Sequence, residues 1–367
     1  MNCKHFGECN GCLITKDYNS QLNEKIEQES QRFKDIYNGI YYVAESPEKH
    51  YRGRAEFRIF HFKEQVFYAM RGVNGSLLPL SECQMLISPI QQIFEPLRIE
   101  LSNSQILKRK LFGIEFLANL NQNIIATLIY HRKLDEVWKN SAENLSKTFN
   151  ISIVGRSKGN REIIGSETIL QDIYINNEKY ILESEEGIFS QPNPIVNEKM
   201  INWVVNNSSG GNYLTELYCG SGNFTIPLSK KFNRVIATEV TKSSITLAIK
   251  NSKNNNISNI DFVRVSSSEF TSAINRERDF FRFKDINLDN ISFDSIFVDP
   301  PRAGIDSETI KLLFKYNEII YISCNPETLK RDLDILKSSF KIIKMALFDQ
   351  FPYTHHIEIG AILHKLQ

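Results

Sequence analysis

Residues 319–329 read I-I-Y-I-S-C-N-P-E-T-L, from Ile319 to Leu329, and this stretch decides the fold. Ile319, Ile320, Tyr321 and Ile322 form a short apolar, β-rich run that suits a strand buried on both faces. Pro326 cannot donate to a sheet interior, so the chain turns just after Cys324. Glu327 and Thr328 suit the first turn of a following helix. A cysteine at the carboxyl end of a parallel strand stands in the crevice where open α/β sheets bind ligands. The competing reading is a buried, inert thiol, since free cysteine is among the most buried residue types.

Outward from this strand the same grammar repeats. Strand signals at 213–218, 234–238, 260–265 and 295–298 alternate with helix signals at 223–231, 242–254, 307–316 and 327–339. Terminal strands are expected at 341–348 and 357–363. This alternation predicts an α/β unit built on a doubly wound parallel sheet. Ahead of a boundary near 181–189 the texture is mixed α+β. A helix over 16–40 is predicted from the spacing of Leu22, Ile26, Phe33 and Ile36. R-A-E-F-R-I-F-H-F (54–62) alternates as a strand, and further strands are expected at 65–70, 113–119, 123–130 and 150–154, with a helix over 134–148. At 367 residues two domains are the natural expectation.

Apolar residues at 41% and charged residues at 24% fit a soluble globular protein, with no apolar stretch long enough to span a membrane. The start, Met1 to His5, has no signal-peptide core, so a cytoplasmic location is expected. A net charge of +1 does not announce nucleic-acid binding. Basic residues nevertheless gather in the first half, at Arg52/Arg54/Arg58, Lys108-Arg109-Lys110, Arg132-Lys133 and Arg156/Lys158/Arg161. They suit phosphate contacts, with Phe60, Phe62 and Phe112 nearby for base stacking; ordinary solvated surface is the alternative.

Three of six cysteines crowd the N-terminus as Cys3-x5-Cys9-x2-Cys12, and Cys83 is available as a fourth ligand. A four-sulfur set suits structural zinc or an iron–sulfur cluster, and spacing alone does not separate them. L-T-E-L-Y-C-G-S-G-N-F-T (214–225) is a strand, a Gly-rich turn and a helix start. There Gly220 and Gly222 let the backbone approach a ligand, while Cys219 reads as a small packing residue. Glu239, about twenty residues on, stands where a ribose diol is gripped. The turn lacks the full G-x-G-x-x-G, which favours a nucleoside ligand without phosphates. F-V-D-P-P-R-A-G (297–304) aims Asp299 into the same crevice, and three strand ends then converge on one site. Near the C-terminus, D-Q-F-P-Y-T-H-H-I-E holds Asp349, His355, His356 and Glu358. Its histidines lack metal spacing, and Glu358 is a candidate base if packing raises its pKa.

The segments Y-R-G-R-A-E-F-R-I, K-R-K-L-F-G-I-E-F, F-S-Q-P-N, E-L-Y-C-G-S-G-N-F, F-V-D-P-P-R-A-G, I-S-C-N-P-E-T-L and F-D-Q-F-P-Y-T-H-H resemble the RNA uracil-C5 methyltransferases, most of all the tRNA (uracil-5-)-methyltransferase branch. The resemblance runs from about Tyr51 to the C-terminus. It implies a class I S-adenosylmethionine-dependent methyltransferase fold, a Rossmann-like doubly wound sheet, with an N-terminal mixed α+β RNA-binding domain. The expected division is 1–45 for the cysteine cluster and amphipathic helix, 46–184 for the RNA-binding domain and 185–367 for the catalytic domain. By motif, Cys324 is the implied nucleophile and Glu358 the base. Gln191, Tyr218, Gly220 or Asn223, Glu239 and Asp299 are the implied S-adenosylmethionine contacts, and Arg58 and Phe112 are implied RNA contacts.

The implied reaction is methylation of uridine C5 in RNA, at the T-loop uridine 54 of tRNA. 23S rRNA is the alternative substrate, and an RNA-binding chaperone without catalysis is the alternative class. No membrane or obligate protein partner is expected. Cys3, Cys9, Cys12 and Cys83 resemble the [4Fe–4S] ligands of the rRNA-modifying branch, which favours an iron–sulfur cluster over zinc. Uracil C5 is a poor nucleophile, so thiolate addition to C6 is needed first, which predicts a depressed pKa at Cys324. The target base must also leave its stack.

Overall fold

The computed structural model describes residues 3–366; Met1, Asn2 and Gln367, at the ends of the expected division, lie outside the described residues. The chain opens with a turn-rich cysteine segment and a helix, Tyr18–Phe33, capped by Asp17, whose side chain accepts the Ser20 N–H. The helix stops at Phe33, ahead of the expected end at Asn38-Gly39, and a strand starts at Tyr41 as expected. β1 (Tyr41–Ala44) is followed by a seven-stranded sheet of β2 (Arg54–Phe62), β3 (Gln65–Arg71), β4 (Leu77–Leu80), β5 (Leu111–Ala118), β6 (Ile124–Tyr130), β7 (Ser152–Ser157) and β8 (Asn160–Ile164), in the order β4-β3-β2-β5-β6-β7-β8. A hairpin of β9 (Thr168–Ile175) and β10 (Glu178–Glu185) stands apart from both large sheets. It turns through Asn176 and Asn177 at φ +51 and +66, the backbone a tight hairpin requires.

The second large sheet contains β11 (Gly211–Leu217), β12 (Phe232–Thr238), β13 (Ile260–Val263), β14 (Ser295–Val298), β15 (Glu318–Ser323), β16 (Phe340–Phe348) and β17 (Glu358–Lys365), with β1 added at its edge. Its order is β1-β16-β17-β15-β14-β11-β12-β13. β11 to β15 are mutually parallel, as the alternation predicts, and every residue of β15 is buried. The sheet is not wholly parallel, because β17 runs antiparallel between β15 and β16. With β16 and β17 joined by only a short connection, antiparallel entry is the economical topology. β11 pairs with both β12 and β14, so the order of connections reverses there and a crevice opens at the strand ends.

Two apolar layers cover the faces of this sheet. One contains Ile319, Tyr321, Leu329 and Leu333; the other contains Ile320, Ile322, Trp203 and Phe297. Gly360 on β17 faces the second layer, where an added Cβ would meet the Trp203 ring at 2.6 Å. Gly360→Ala is therefore expected to destabilise the protein by about 1–3 kcal/mol through overpacking. Urea unfolding checks this, and an unchanged midpoint would contradict it.

Candidate active site

The carboxyl ends of the parallel strands open into a cavity of about 1060 Å³, which the seven-stranded sheet closes with Arg52, Arg54, Glu56 and Glu115. Register explains how distant segments meet there. Leu217 pairs with both Thr238 and Val298, so the next residues, Tyr218, Glu239 and Asp299, emerge at one level. Ser323 pairs with Ile359 in the antiparallel ladder, so Cys324 and Glu358 stand opposite one another one step further on. Gln191, Tyr218, Gly220, Asn223, Glu239, Asp299, Cys324 and Glu358 all line the cavity.

The Gly-rich turn is built for a ligand against bare backbone. Tyr218, Gly220 and Gly222 have φ of +63, +54 and +85, and an added Cβ at Gly220 would meet nothing within 4 Å. The Gly220 N–H donates to Glu239 Oε2 at 3.3 Å, and Glu239 Oε1 accepts the Thr241 N–H at 2.8 Å, which fixes that carboxylate. Asn223 and Asn197 exchange amide hydrogen bonds of 2.8 and 2.9 Å. Tyr218 donates to Ser267 Oγ at 2.8 Å. Gln191 Oε1 is buried without a partner, a group left for a ligand. The helix behind the turn is α-helical only over Thr225–Leu228 and tightens to 3-10 over Ser229–Lys231, so it starts two residues after the expected 223 and ends at the expected 231. Backbone groups and the fixed carboxylate, rather than a long helix dipole, therefore define this end.

At the other end, Asn325 Nδ2 donates to the Arg302 carbonyl at 2.9 Å and ties the Cys324 turn to the D-P-P-R segment. Asn325 also caps the helix Pro326–Leu336, accepting the Glu327 N–H at 3.1 Å. Glu358 is 6% exposed, and burial followed by the Asp299 charge pushes its carboxyl up to about 8. Burial likewise raises Asp299. The expected depressed thiol is not found. Burial, then Glu358 and Asp299, raise the Cys324 pKa, and the Arg302 charge only partly opposes them. Two carboxyls from neighbouring strands outweigh one exposed cation.

Two cavity residues, Glu216 and Phe351, stand in the recognised motifs but were given no role from the sequence. Glu216 is buried beside the turn, with Oε2 unpartnered and its pKa pushed up to about 8 by burial. Phe351 forms part of the wall with the Arg52 guanidinium 5.7 Å from its ring centre. The E in L-T-E-L-Y and the F in D-Q-F-P-Y lie within quoted motifs, so the signal was present but unassigned. Arg58 and Phe112 are exposed and do not line the cavity; Phe112 packs edge-on against His131 at 4.4 Å.

A family model described as tRNA (Uracil-5-)-methyltransferase matches residues 17–366. The chain belongs to this family. It is 46% identical over its full length to the tRNA/tmRNA (uracil-C(5))-methyltransferase of Aliarcobacter butzleri, which is also fully covered. It is 43% identical to the enzyme of that name from Acinetobacter baumannii, over 96% of this chain and all of that one. The crystal structure of the Pyrococcus abyssi tRNA (uracil-54, C5)-methyltransferase with S-adenosyl-L-homocysteine superposes with a TM-score of 0.75 at 22% identity, covering 97% of this chain and 86% of that chain. That likeness bears on the fold, a class I methyltransferase architecture.

The tRNA (uracil-5-)-methyltransferase match begins at residue 17, beyond Cys3, Cys9 and Cys12, and includes Cys83. Cys9, Cys12 and Cys83 are buried in the core of the seven-stranded sheet. Burial raises all three thiols, Cys83 to about 12, and the charges of neighbouring cysteines raise them further. The Gly11 N–H donates to Cys9 Sγ at 3.4 Å. The set expected to ligate a metal is thus drawn together. Among the described residues, however, no three Cys, His, Asp or Glu side chains are arranged around a single-ion site. That arrangement shows neither the zinc nor the iron–sulfur alternative at these cysteines.

The raised carboxyl has a thermodynamic consequence. The folded state keeps the Glu358 proton between its ordinary value near 4.5 and about 8, whereas the unfolded chain releases it. Stability must then fall as pH rises through that window. The thermal midpoint of the ligand-free protein should fall less steeply with pH in Glu358→Gln than in wild type, and equal slopes would contradict the assignment.

Proposed function

We propose that this protein methylates C5 of the T-loop uridine 54 of tRNA, with Cys324 as nucleophile and Glu358 as base. The observation that carries this reading is the register that sets Cys324 against Glu358 at the cavity end. S-adenosylmethionine, held by Gln191, Tyr218, Gly220, Asn223, Glu239 and Asp299, supplies the methyl group and a positive charge beside the carboxyls. The Cys324 thiol loses its proton to solvent and its sulfur adds to C6 of the flipped base, and the ring electrons move to C5 and the O4 enolate. C5 would then take the methyl group as the bond from methyl to the sulfonium sulfur breaks, leaving S-adenosylhomocysteine. Glu358 takes the C5 hydrogen, the C5–C6 double bond re-forms, and the thiolate leaves. Burial raises the Glu358 carboxyl, so once ionised it is a stronger base than a free carboxylate.

The division 1–45, 46–184 and 185–367 is part of the proposal, with the middle unit contacting RNA. Exposed Arg58, Phe112, Arg109, Lys110 and Lys133 suit a surface that meets phosphates and a stacked base. Cys324→Ala should abolish turnover, at least 10³-fold, and RNA containing 5-fluorouridine should trap wild type as a covalent complex. Methylation of separate tRNA and rRNA pools, followed by mapping of the product, decides the substrate. Label in 23S rRNA would reverse the tRNA assignment, and an active Cys324→Ala would overturn the mechanism.

We further propose that Cys3, Cys9, Cys12 and Cys83 hold a [4Fe–4S] cluster. Cys9, Cys12 and Cys83 lie in one buried apolar cluster, and the Gly11 N–H donates to Cys9 Sγ, as around a sulfur-ligated group. No catalytic step is assigned to it. Protein prepared anaerobically should contain iron and acid-labile sulfide and show broad visible absorption that Cys12→Ser removes; a preparation with zinc and no iron would overturn this.

A further inference from the structure

One side chain of the helix Tyr18–Phe33 reaches across the chain to the loop that leads into β17. Lys25 is 5% exposed and donates to Asp349 Oδ1 at 2.6 Å and to the carbonyls of Phe351 and His356, each at 3.1 Å. Three acceptors match the three hydrogens of an ammonium. Burial lowers the Lys25 pKa and the Asp349 charge counters it, so the pair is a desolvated ion pair and not a surface contact. Gln21 Nε2 approaches the other Asp349 oxygen at 3.5 Å, and Asp349 itself is fully buried.

The position of this pin matters for the chemistry. The ladder of β17 begins at Glu358, so no strand pairing fixes residues 349–356 ahead of it. Phe351 lines the cavity with Cys324 and Glu358, and His356 lies two residues before the base. We infer that Lys25 is a positioning residue for proton abstraction: by holding Asp349 and the Phe351 and His356 carbonyls, it sets the Phe351 wall and Glu358 against the target ring. This inference rests on the uracil-C5 reading. Proton abstraction from carbon depends steeply on geometry, and a misplacement of about 1 Å costs roughly 10²-fold.

The test compares wild type, Lys25→Met and the double variant Lys25→Met/Asp349→Asn. The single variant strands a buried carboxylate and loses stability for that reason alone, whereas the double variant removes both charges. Readouts are S-adenosylhomocysteine affinity by calorimetry, kcat, and the fraction of unmodified tRNA held covalently after denaturation. The double variant should keep its cofactor affinity, lose roughly tenfold to hundredfold in kcat, and accumulate the covalent tRNA adduct because the C5 hydrogen leaves slowly. Wild-type kcat without adduct in the double variant would overturn the inference, as would a kcat loss matched by an equal loss of cofactor affinity. Wild type with 5-fluorouridine RNA runs alongside. If it forms no adduct, the uracil-C5 reading itself fails; if it does and the double variant behaves as wild type, only the role of Lys25 fails.

Discussion

β17 enters the catalytic sheet against the direction of its neighbours, and its register with β15 governs everything that happens in the cavity. Ser323 pairs with Ile359, and from that single pairing Cys324 faces Glu358. A slip of one residue would turn Glu358 to the opposite face of the sheet. The register is pinned by burial on both faces: Ile359 and Ala361 pack into one apolar layer, and Ile362 into the other. At Gly360 the Trp203 ring occupies the space a side chain would need. The ladder with β16 adds a second constraint, since Leu347 pairs with the same Ile359.

The electrostatics of the cavity follow from that packing. Glu216, Asp299 and Glu358 come from three strands, and burial raises each of them. Carboxyls in such surroundings resist ionisation until a positive charge arrives. The same surroundings hold the Cys324 thiol protonated in the ligand-free protein.

Much of this was legible in the sequence because it is local. The apolar run at Ile319, the breaking effect of Pro326 and the Gly-rich turn at Gly220 each declare a strand end within a few residues. The direction of the Cys324 shift was not legible, because the deciding carboxyls come from other strands and their proximity is a matter of register. β1 pairs in parallel with β16 some three hundred residues away, Tyr41 with Met345, which no window of sequence reveals. The helix Ser88–Asn103 was hidden by Pro96 within it, and the hairpin β9–β10 by the break in alternation at the half-buried Gln171 and Asp172. The Asn176-Asn177 turn was a usable signal for that hairpin. Lys25 reads as an ordinary surface lysine of an amphipathic helix until its partner, Asp349, is seen folded over it.

The central claim is that Glu358 removes the C5 hydrogen from a ring already bound to Cys324. Tritium release from tRNA carrying [5-³H]uridine, followed in wild type and Glu358→Gln with S-adenosylmethionine present, tests it most directly. The account predicts release equal to methyl transfer in wild type. In Glu358→Gln, methyl should still reach the ring while tritium stays on it and the protein remains attached. Tritium release at the wild-type rate from Glu358→Gln would contradict the account.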